Sequence, residues 1–400
     1  MRLEDLADLS LPDGERVLLL VLDGLGGLPA EGGGRTELES ARTPNLDALV
    51  RGGCGLHTPV APGVTPGSGP GHLALFGFDP LRYRIGRGVL EALGVDFDLR
   101  PGDVAARGNL CTVDGAGDVA DRRAGRIATE DAAPVCEALG AIEVEGGSIF
   151  VRPVKEHRFL LVVRPESGSS ADVADTDPGR TGLPPLPPSA RSPEAEPVAR
   201  IVREWVARVP DALAGRERAN MVLLRGFSTR PQWPRFPDVF GMRSLAVAAY
   251  PMYRGVARLV GMDAEAVPEP IAALADTLEA RASDYDFVFL HVKGTDKAGE
   301  DGDFDRKVAI IEEVDRQVPR LLAASPGIVL VTGDHSTPAR LRGHSWHPVP
   351  FLLHGGAGRV DTATEFGESA CATGSLGRVR GCELMPLAVA RAGRLSKYGA

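Results

Sequence analysis

The stretch Val17-Leu18-Leu19-Leu20-Val21-Leu22-Asp23-Gly24-Leu25-Gly26-Gly27 decides the fold. Six consecutive apolar residues without polar alternation suit a strand covered on both faces, the condition of a parallel sheet flanked by helices. The run ends on a carboxylate and a glycine-rich turn. Asp23 is therefore expected at the C-terminal end of its strand, where open α/β sheets bind ligands. The same grammar returns later: DFVFLHV at 286–292 leads to Asp296, and GIVLV at 327–331 leads to Asp334. A fourth run, 349–353, follows His344 and His347. Helical periodicity at 271–282 and 307–324 fills the intervals, so the C-terminal part of the chain reads as alternating α and β.

Between about residues 95 and 240 the pattern changes to short strand-like pieces (149–151, 159–163, 221–224) and glycine turns. Residues 165–197 contain eight prolines and read either as a linker or as a long ordered loop reaching a site. Strand-and-carboxylate units at both ends of the chain place the middle as an insertion. The expected architecture is an α/β core with a mainly parallel sheet flanked by helices, residues 1–92 and 241–400, interrupted by a smaller α+β domain at 93–240.

Composition narrows the function. The chain has 400 residues, enough for two or three folding units. Its 45 basic and 54 acidic side chains give a net charge of −9, which argues against a nucleic-acid partner. The apolar run at 17–22 is too short to span a bilayer, and the acidic first sixteen residues do not read as a signal peptide. Five widely separated cysteines make neither a disulfide framework nor a zinc knuckle, so a reducing, cytoplasmic setting is expected.

Four of the eight histidines, His335, His344, His347 and His354, fall close together near the C-terminus. Of these, His335 and His344, with Asp23, Asp296 and Asp334, offer oxygen and nitrogen donors from separate strand ends, a set that suits Mn²⁺ or Zn²⁺. Taken singly, such an aspartate is more often a helix cap and such a histidine more often a surface or satisfied polar group; several strand ends in one sheet favour a metal. Ser68, in GVTPGSGPGH at 63–72, is placed at a helix N-terminus by Pro70 and the surrounding glycines. It is a candidate nucleophile or a simple cap, and as a nucleophile it needs a base or metal to activate it. Other motifs fail. There is no P-loop, Pro29 breaks the dinucleotide fingerprint in DGLGGLP, and Arg306 stands where the aspartates at 301, 303 and 305 would need an EF-hand glycine.

Together, Asp23-Gly24, the serine loop ending in Gly71-His72, Gly294-Thr295-Asp296, Gly333-Asp334-His335 and His344 before Pro348-Val349-Pro350 resemble the alkaline phosphatase superfamily. With GHLALFGFDP, IGRGVLEALG, DRRAGRI, DTDP and YRGVARLVGM, the chain resembles cofactor-independent phosphoglycerate mutases of the archaeal type over nearly its whole length. The resemblance implies an alkaline-phosphatase-like core and two divalent metals, manganese first and magnesium, cobalt or zinc as alternatives. One metal would be held by Asp23, Ser68, Asp334 and His335, the other by Asp296, His344 and residue 300. Here the chain departs from the family: Glu300 stands where histidine is usual. Glu300 reads as a replacement ligand that favours hard cations, or as a solvated side chain. His347 is left outside the ligand set.

The resemblance further implies that Asp121 and Arg122 grip a glycerate and that Arg225 contacts substrate, with Arg254 near the phosphate. Arg158 and Arg164 are further candidates, because the planar guanidinium binds carboxylate and phosphate bidentately. Asp175 and Asp177 either orient acceptor hydroxyls or form a turn. The expected activity is interconversion of 3-phosphoglycerate and 2-phosphoglycerate through phospho-Ser68, without 2,3-bisphosphoglycerate. The rivals are a metal-dependent phosphohydrolase or phosphomutase for another small phosphate ester, and a catalytically silent binding protein.

Overall fold

The computed structural model describes residues 2–30, 32–168, 170–268, 270–325 and 327–399. Strands β1 (Val17–Leu22) and β2 (Cys54–Thr58) precede five strands of the middle region, β3 (Val104–Val113), β4 (Val119–Asp121), β5 (Gly147–Lys155), β6 (Arg158–Pro165) and β7 (Met221–Thr229). The C-terminal part adds β8 (Ser244–Ala248), β9 (Asp263–Ala266), β10 (Phe287–Val292), β11 (Ile328–Thr332), β12 (Val349–His354) and β13 (Gly377–Arg380). The chain forms two compact units, residues 1–84 with 233–400, and residues 85–232. The first boundary precedes the expected one because the helix Arg87–Gly94 packs on β3 and β7, with Val89 N donating to Ser228 Oγ at 3.1 Å; the second does so because Trp233 and Phe236 pack on Phe78, Tyr83 and Phe287 of the larger unit.

The larger unit holds an eight-stranded sheet in the order β13-β2-β12-β11-β1-β10-β8-β9. Strand β1 runs parallel to β10 and β11, pairing Leu22 with Val292 and Val21 with Thr332. Every residue of β1, β10 and β11 is buried, as unbroken apolar runs require. Strand β12 alone is reversed, antiparallel to both β11 and β2. Helices Ile271–Arg281 and Phe304–Ala324 contribute Leu274, Leu278, Ile311, Val314 and Val318 to the core on one face of the sheet. The second of these helices is capped by Asp303, which accepts from Arg306 N at 3.0 Å.

The smaller unit is an antiparallel five-stranded sheet in which β3 lies between β6 and β7. Strand β3 escapes a propensity reading because its centre, Ala105-Ala106-Arg107-Gly108-Asn109, lacks β-branched residues. Gly108 is required there, since a Cβ would fall 2.2 Å from the Phe159 ring. The amphipathic helix Glu196–Ala212 buries Trp205, whose indole N–H donates to Leu139 O at 3.0 Å. The proline-rich segment is no linker. Thr176 N donates to Leu224 O, Gly182 N to Val119 O and Val119 N to Leu183 O, so the loop docks on the sheet.

Candidate active site

Because β1, β10 and β11 are parallel, their C-terminal ends share one edge of the larger sheet. Asp23 directly follows β1, Asp296 lies in the first turn of the helix Gly294–Asp301 after β10, and Asp334 follows β11. The reversal of β12 brings its starting loop, with His344, back to that edge. At Gly24 φ is 64°, and a Cβ would lie 2.5 Å from Thr337 Oγ1, so only glycine allows the Asp23 turn to approach so closely.

Two groups of donor atoms result, each with atoms within 4.8 Å of one another: Asp23, Asp334 and His335, and Asp296, His335 and His344. His335 belongs to both, and its ring stacks on that of His344 at 3.7 Å between centroids. Its Nε2 lies 3.4 Å from Asp23 Oδ1, 3.2 Å from Asp334 Oδ2 and 3.2 Å from Ser68 Oγ. Ser68 opens the helix Ser68–Leu75, whose cap is Gly67 without a side-chain bond, so the serine does not cap that helix. Glu300 shares the Asp296 helix, but its carboxylate is 54% exposed and 3.8 Å from His344 Nε2, outside both groups.

The buried oxygens Asp23 Oδ1 and Asp334 Oδ2 accept no hydrogen bond. Orphaned carboxylate oxygens beside imidazole nitrogens, with no thiolate, fit a hard or borderline divalent cation. Burial opposes ionisation of Asp23, yet the hydrogen bond from His291 and the charge of Lys293 outweigh it and hold the carboxyl well below the usual carboxylate range. For Asp334, burial and Asp23 oppose ionisation while His335 and His72 favour it, and the net shift is downward.

Several residues here were given no role from the sequence. His72 Nδ1 lies 2.8 Å from Ser68 O and 3.1 Å from Asp334 Oδ2. His291 Nε2 is 3.1 Å from Asp23 Oδ2, and its ring stacks on Tyr253 at 3.7 Å. Lys293 Nζ reaches Asp23 Oδ2 at 3.2 Å, Asp296 Oδ2 at 2.5 Å and the Tyr253 hydroxyl at 3.0 Å. The signal was a lone histidine inside an otherwise apolar strand, followed by lysine. Arg254 is buried and donates through Nη1 to Ala248 O at 3.0 Å and Ala249 O at 2.6 Å, at the end of β8. His347 lies against Ser345 Oγ and Trp346.

The smaller unit carries a cavity of about 390 Å³ lined by Arg107, Arg122, Arg123, Arg126, Arg158 and Arg225, with Lys155 and His157 beside them. Glu156 is its one acidic lining residue among those described. Arg122 holds Asp177 bidentately at 3.0 and 2.7 Å, and Arg225 Nη1 lies 3.5 Å from the same carboxylate. Asp177 and Asp175 also accept from Gly179 N and Gly226 N, so both fix main chain. Asp121 turns inward on its own loop, accepting from Arg123 N at 2.8 Å and Gly125 N at 2.6 Å. Three successive positive φ angles follow, 48° at Ala124, 68° at Gly125 and 54° at Arg126, the kind of strain that clusters at ligand clamps. Arg164 stands apart, bound to Asp103 through two bonds of 2.7 Å.

Residues 50–218 match the family model for 2,3-bisphosphoglycerate-independent phosphoglycerate mutase. A relative from Thermus thermophilus, named a probable 2,3-bisphosphoglycerate-independent phosphoglycerate mutase, is 49% identical over 99% of this chain and 98% of its own. One of the same name from Aquifex aeolicus is 46% identical over 99% of both chains. Among solved structures, the cofactor-independent phosphoglycerate mutase of Thermoplasma acidophilum is 30% identical, covers 95% of this chain and all of its own, and has a TM-score of 0.74. On this similarity along its whole length, the chain belongs to the 2,3-bisphosphoglycerate-independent phosphoglycerate mutase family.

Proposed function

We propose that the protein interconverts 3-phosphoglycerate and 2-phosphoglycerate without a bisphosphoglycerate cofactor, carrying the phosphoryl group on Ser68. The observation that supports this most is the Ser68 hydroxyl, 3.2 Å from His335 Nε2 at a helix N-terminus beside buried, ionised carboxylates. Asp23, Ser68, Asp334 and His335 would hold one divalent cation, and Asp296, His344 and Glu300 a second, with manganese the first expectation. Bound there, the cations supply a lowered hydroxyl pKa and neutralisation of phosphate charge.

The chain's own residues do the rest. Ser68 Oγ gives up its proton and attacks phosphorus; the bond from phosphorus to the glycerate oxygen breaks, and that oxygen takes a proton. The released glycerate stays held while its other hydroxyl attacks phosphoserine in the reverse sense, which restores Ser68. Helix N–H groups at the head of Ser68–Leu75 favour the anion at each stage. In the smaller unit, Arg122, Arg158 and Arg225 suit the glycerate carboxylate, and the strained turn after Asp121 presents Arg123 and Arg126 to the same cavity. Retaining glycerate between the two transfers separates a mutase from a phosphatase. The five cysteines are free thiols, which suits a reducing cytoplasm; no helix among the described residues is long and apolar enough to cross a membrane.

The test is incubation of chelated protein with 3-phosphoglycerate, then Mn²⁺ added back, following 2-phosphoglycerate and free phosphate. Isomerisation without phosphate release is expected, and Ser68→Ala should lower kcat by about 10³-fold or more. Phosphate release without isomerisation makes the protein a hydrolase. Wild-type turnover in Ser68→Ala removes the phosphoserine route.

A further inference from the structure

Lys307 lies in the helix Phe304–Ala324 with its side chain wholly buried. Its Nζ donates to three main-chain carbonyls, Gly24 O at 2.9 Å, Gly26 O at 3.1 Å and Thr337 O at 2.9 Å. An ammonium has three N–H donors, so all are engaged. Two of the acceptors belong to the turn after Asp23, and the third to the loop that carries His335. The same two segments are also joined by Thr337 N, which donates toward Gly24 O and Gly26 O. From that loop Thr337 Oγ1 donates to Asp296 Oδ1 at 2.6 Å and lies 3.0 Å from His335 Nδ1. Glu37, 4.0 Å from Nζ, offsets the buried charge and accepts from Ala339 N at 2.7 Å.

A buried ammonium is costly unless it is paired and fully bonded. An apolar side chain would fill the same volume without that cost but would take the ammonium from all three carbonyls, leaving Gly24 O and Gly26 O only the shared Thr337 N–H. We propose that Lys307 is a positioning residue: its ammonium cross-links the Asp23 turn to the His335 loop, so that carboxylate and imidazole donors from separate strand ends stand ready for one cation. Lys307 touches none of those donors itself; it sets the spacing of the main chain that bears them. This role rests on the metal reading given above.

The experiment is calorimetric titration of the full chain with Mn²⁺ in wild type, Lys307→Met and Lys307→Gln, with hydrogen exchange read at residues 24–27 and 335–339. Lys307→Met is expected to keep its circular dichroism, to bind Mn²⁺ about 10–100-fold more weakly, and to lose exchange protection in those two segments. Lys307→Gln, which keeps two donors, should fall between, and it carries the test should the methionine variant fail to fold. A lysine that merely stabilises the fold would lower the melting temperature without moving affinity. Folded variant protein that binds Mn²⁺ within about twofold of wild type therefore overturns the proposal. Wild-type protein that binds no Mn²⁺ overturns the metal reading and this role with it, a result distinct from any difference between variants.

Discussion

In the larger unit Asp23, Asp296 and Asp334 are buried among imidazoles and a lysine, whereas in the smaller unit Arg122, Arg158 and Arg225 stand half-buried around an open cavity. The two regions carry opposite charge and satisfy it differently. Burial opposes ionisation of Asp23 and Asp334, which is outweighed by donors approaching from several segments, and one oxygen of each still lacks a hydrogen bond. The guanidiniums remain partly hydrated and are checked chiefly by Asp177 and Asp175. One region suits a divalent cation, the other an anion. Under the proposed function the first would carry the chemistry and the second would capture substrate.

The most severe way to break this division is Asp334→Asn, which removes a charge shared by His72 and His335. It should lower kcat by about 10³-fold or more and abolish tight Mn²⁺ binding in a titration. Retained metal affinity would return Asp334 to a structural role.

A second test uses acid. Burial pushes the His57 imidazole down from an ordinary 6.5 to about 4, against the opposing effects of its bond to Gly333 and of Asp334. Between those values the unfolded chain binds a proton that the folded chain refuses, so stability falls as pH drops through the window, by up to about 3 kcal/mol. His57→Gln should flatten this acid limb in urea midpoints taken at several pH values. An unchanged slope would place the sensitivity elsewhere, next at His157 beside the arginine cavity, whose imidazole burial also pushes down; the guanidiniums there stay charged throughout.

A third change sharpens the contrast from the other side. Arg122→Ala should raise KM about 10–100-fold with Mn²⁺ affinity unmoved, since Arg122 belongs to the arginine cavity and not to either donor group. An equal fall in kcat at saturating substrate would instead move Arg122 to the transition state. The smallest effect is expected at Glu300, exposed and outside both donor groups but 3.8 Å from His344 Nε2: Glu300→Ala should weaken the second Mn²⁺ about tenfold. Two undiminished binding events would leave Glu300 as a solvated side chain.

What the sequence made legible follows from burial. Strands β1, β10, β11 and β12 announce themselves because covered strands are continuous apolar runs, and the aspartates that follow the first three could be read off with them. Strand β3 stayed hidden because its centre lacks β-branched residues and Gly108 answers to the bulk of Phe159 across the sheet, a tertiary demand that no local pattern records. His291 and Lys307 were obscured in the opposite way. Each is a single polar residue in an element whose pattern is otherwise ordinary, and only the assembled fold reveals that it faces a carboxylate or a cage of carbonyls. The roles foreseen for Asp121 and Asp177 met a similar limit: both carboxylates are occupied with nearby amides or guanidinium.

The backward course of β12 has a consequence for how this chain tolerates change. A forward-running strand would have required a crossover of a dozen or more residues to the far side of the sheet, carrying His344 out of reach. Instead residues 333–348 form one excursion whose two feet are planted on adjacent strands, so lengthening it would add little to its closure entropy yet would detune the spacing between His335 and His344. Insertions in this span should therefore spare the melting temperature and extinguish turnover, making the mouth of a single hairpin the part of the protein least free to drift in length.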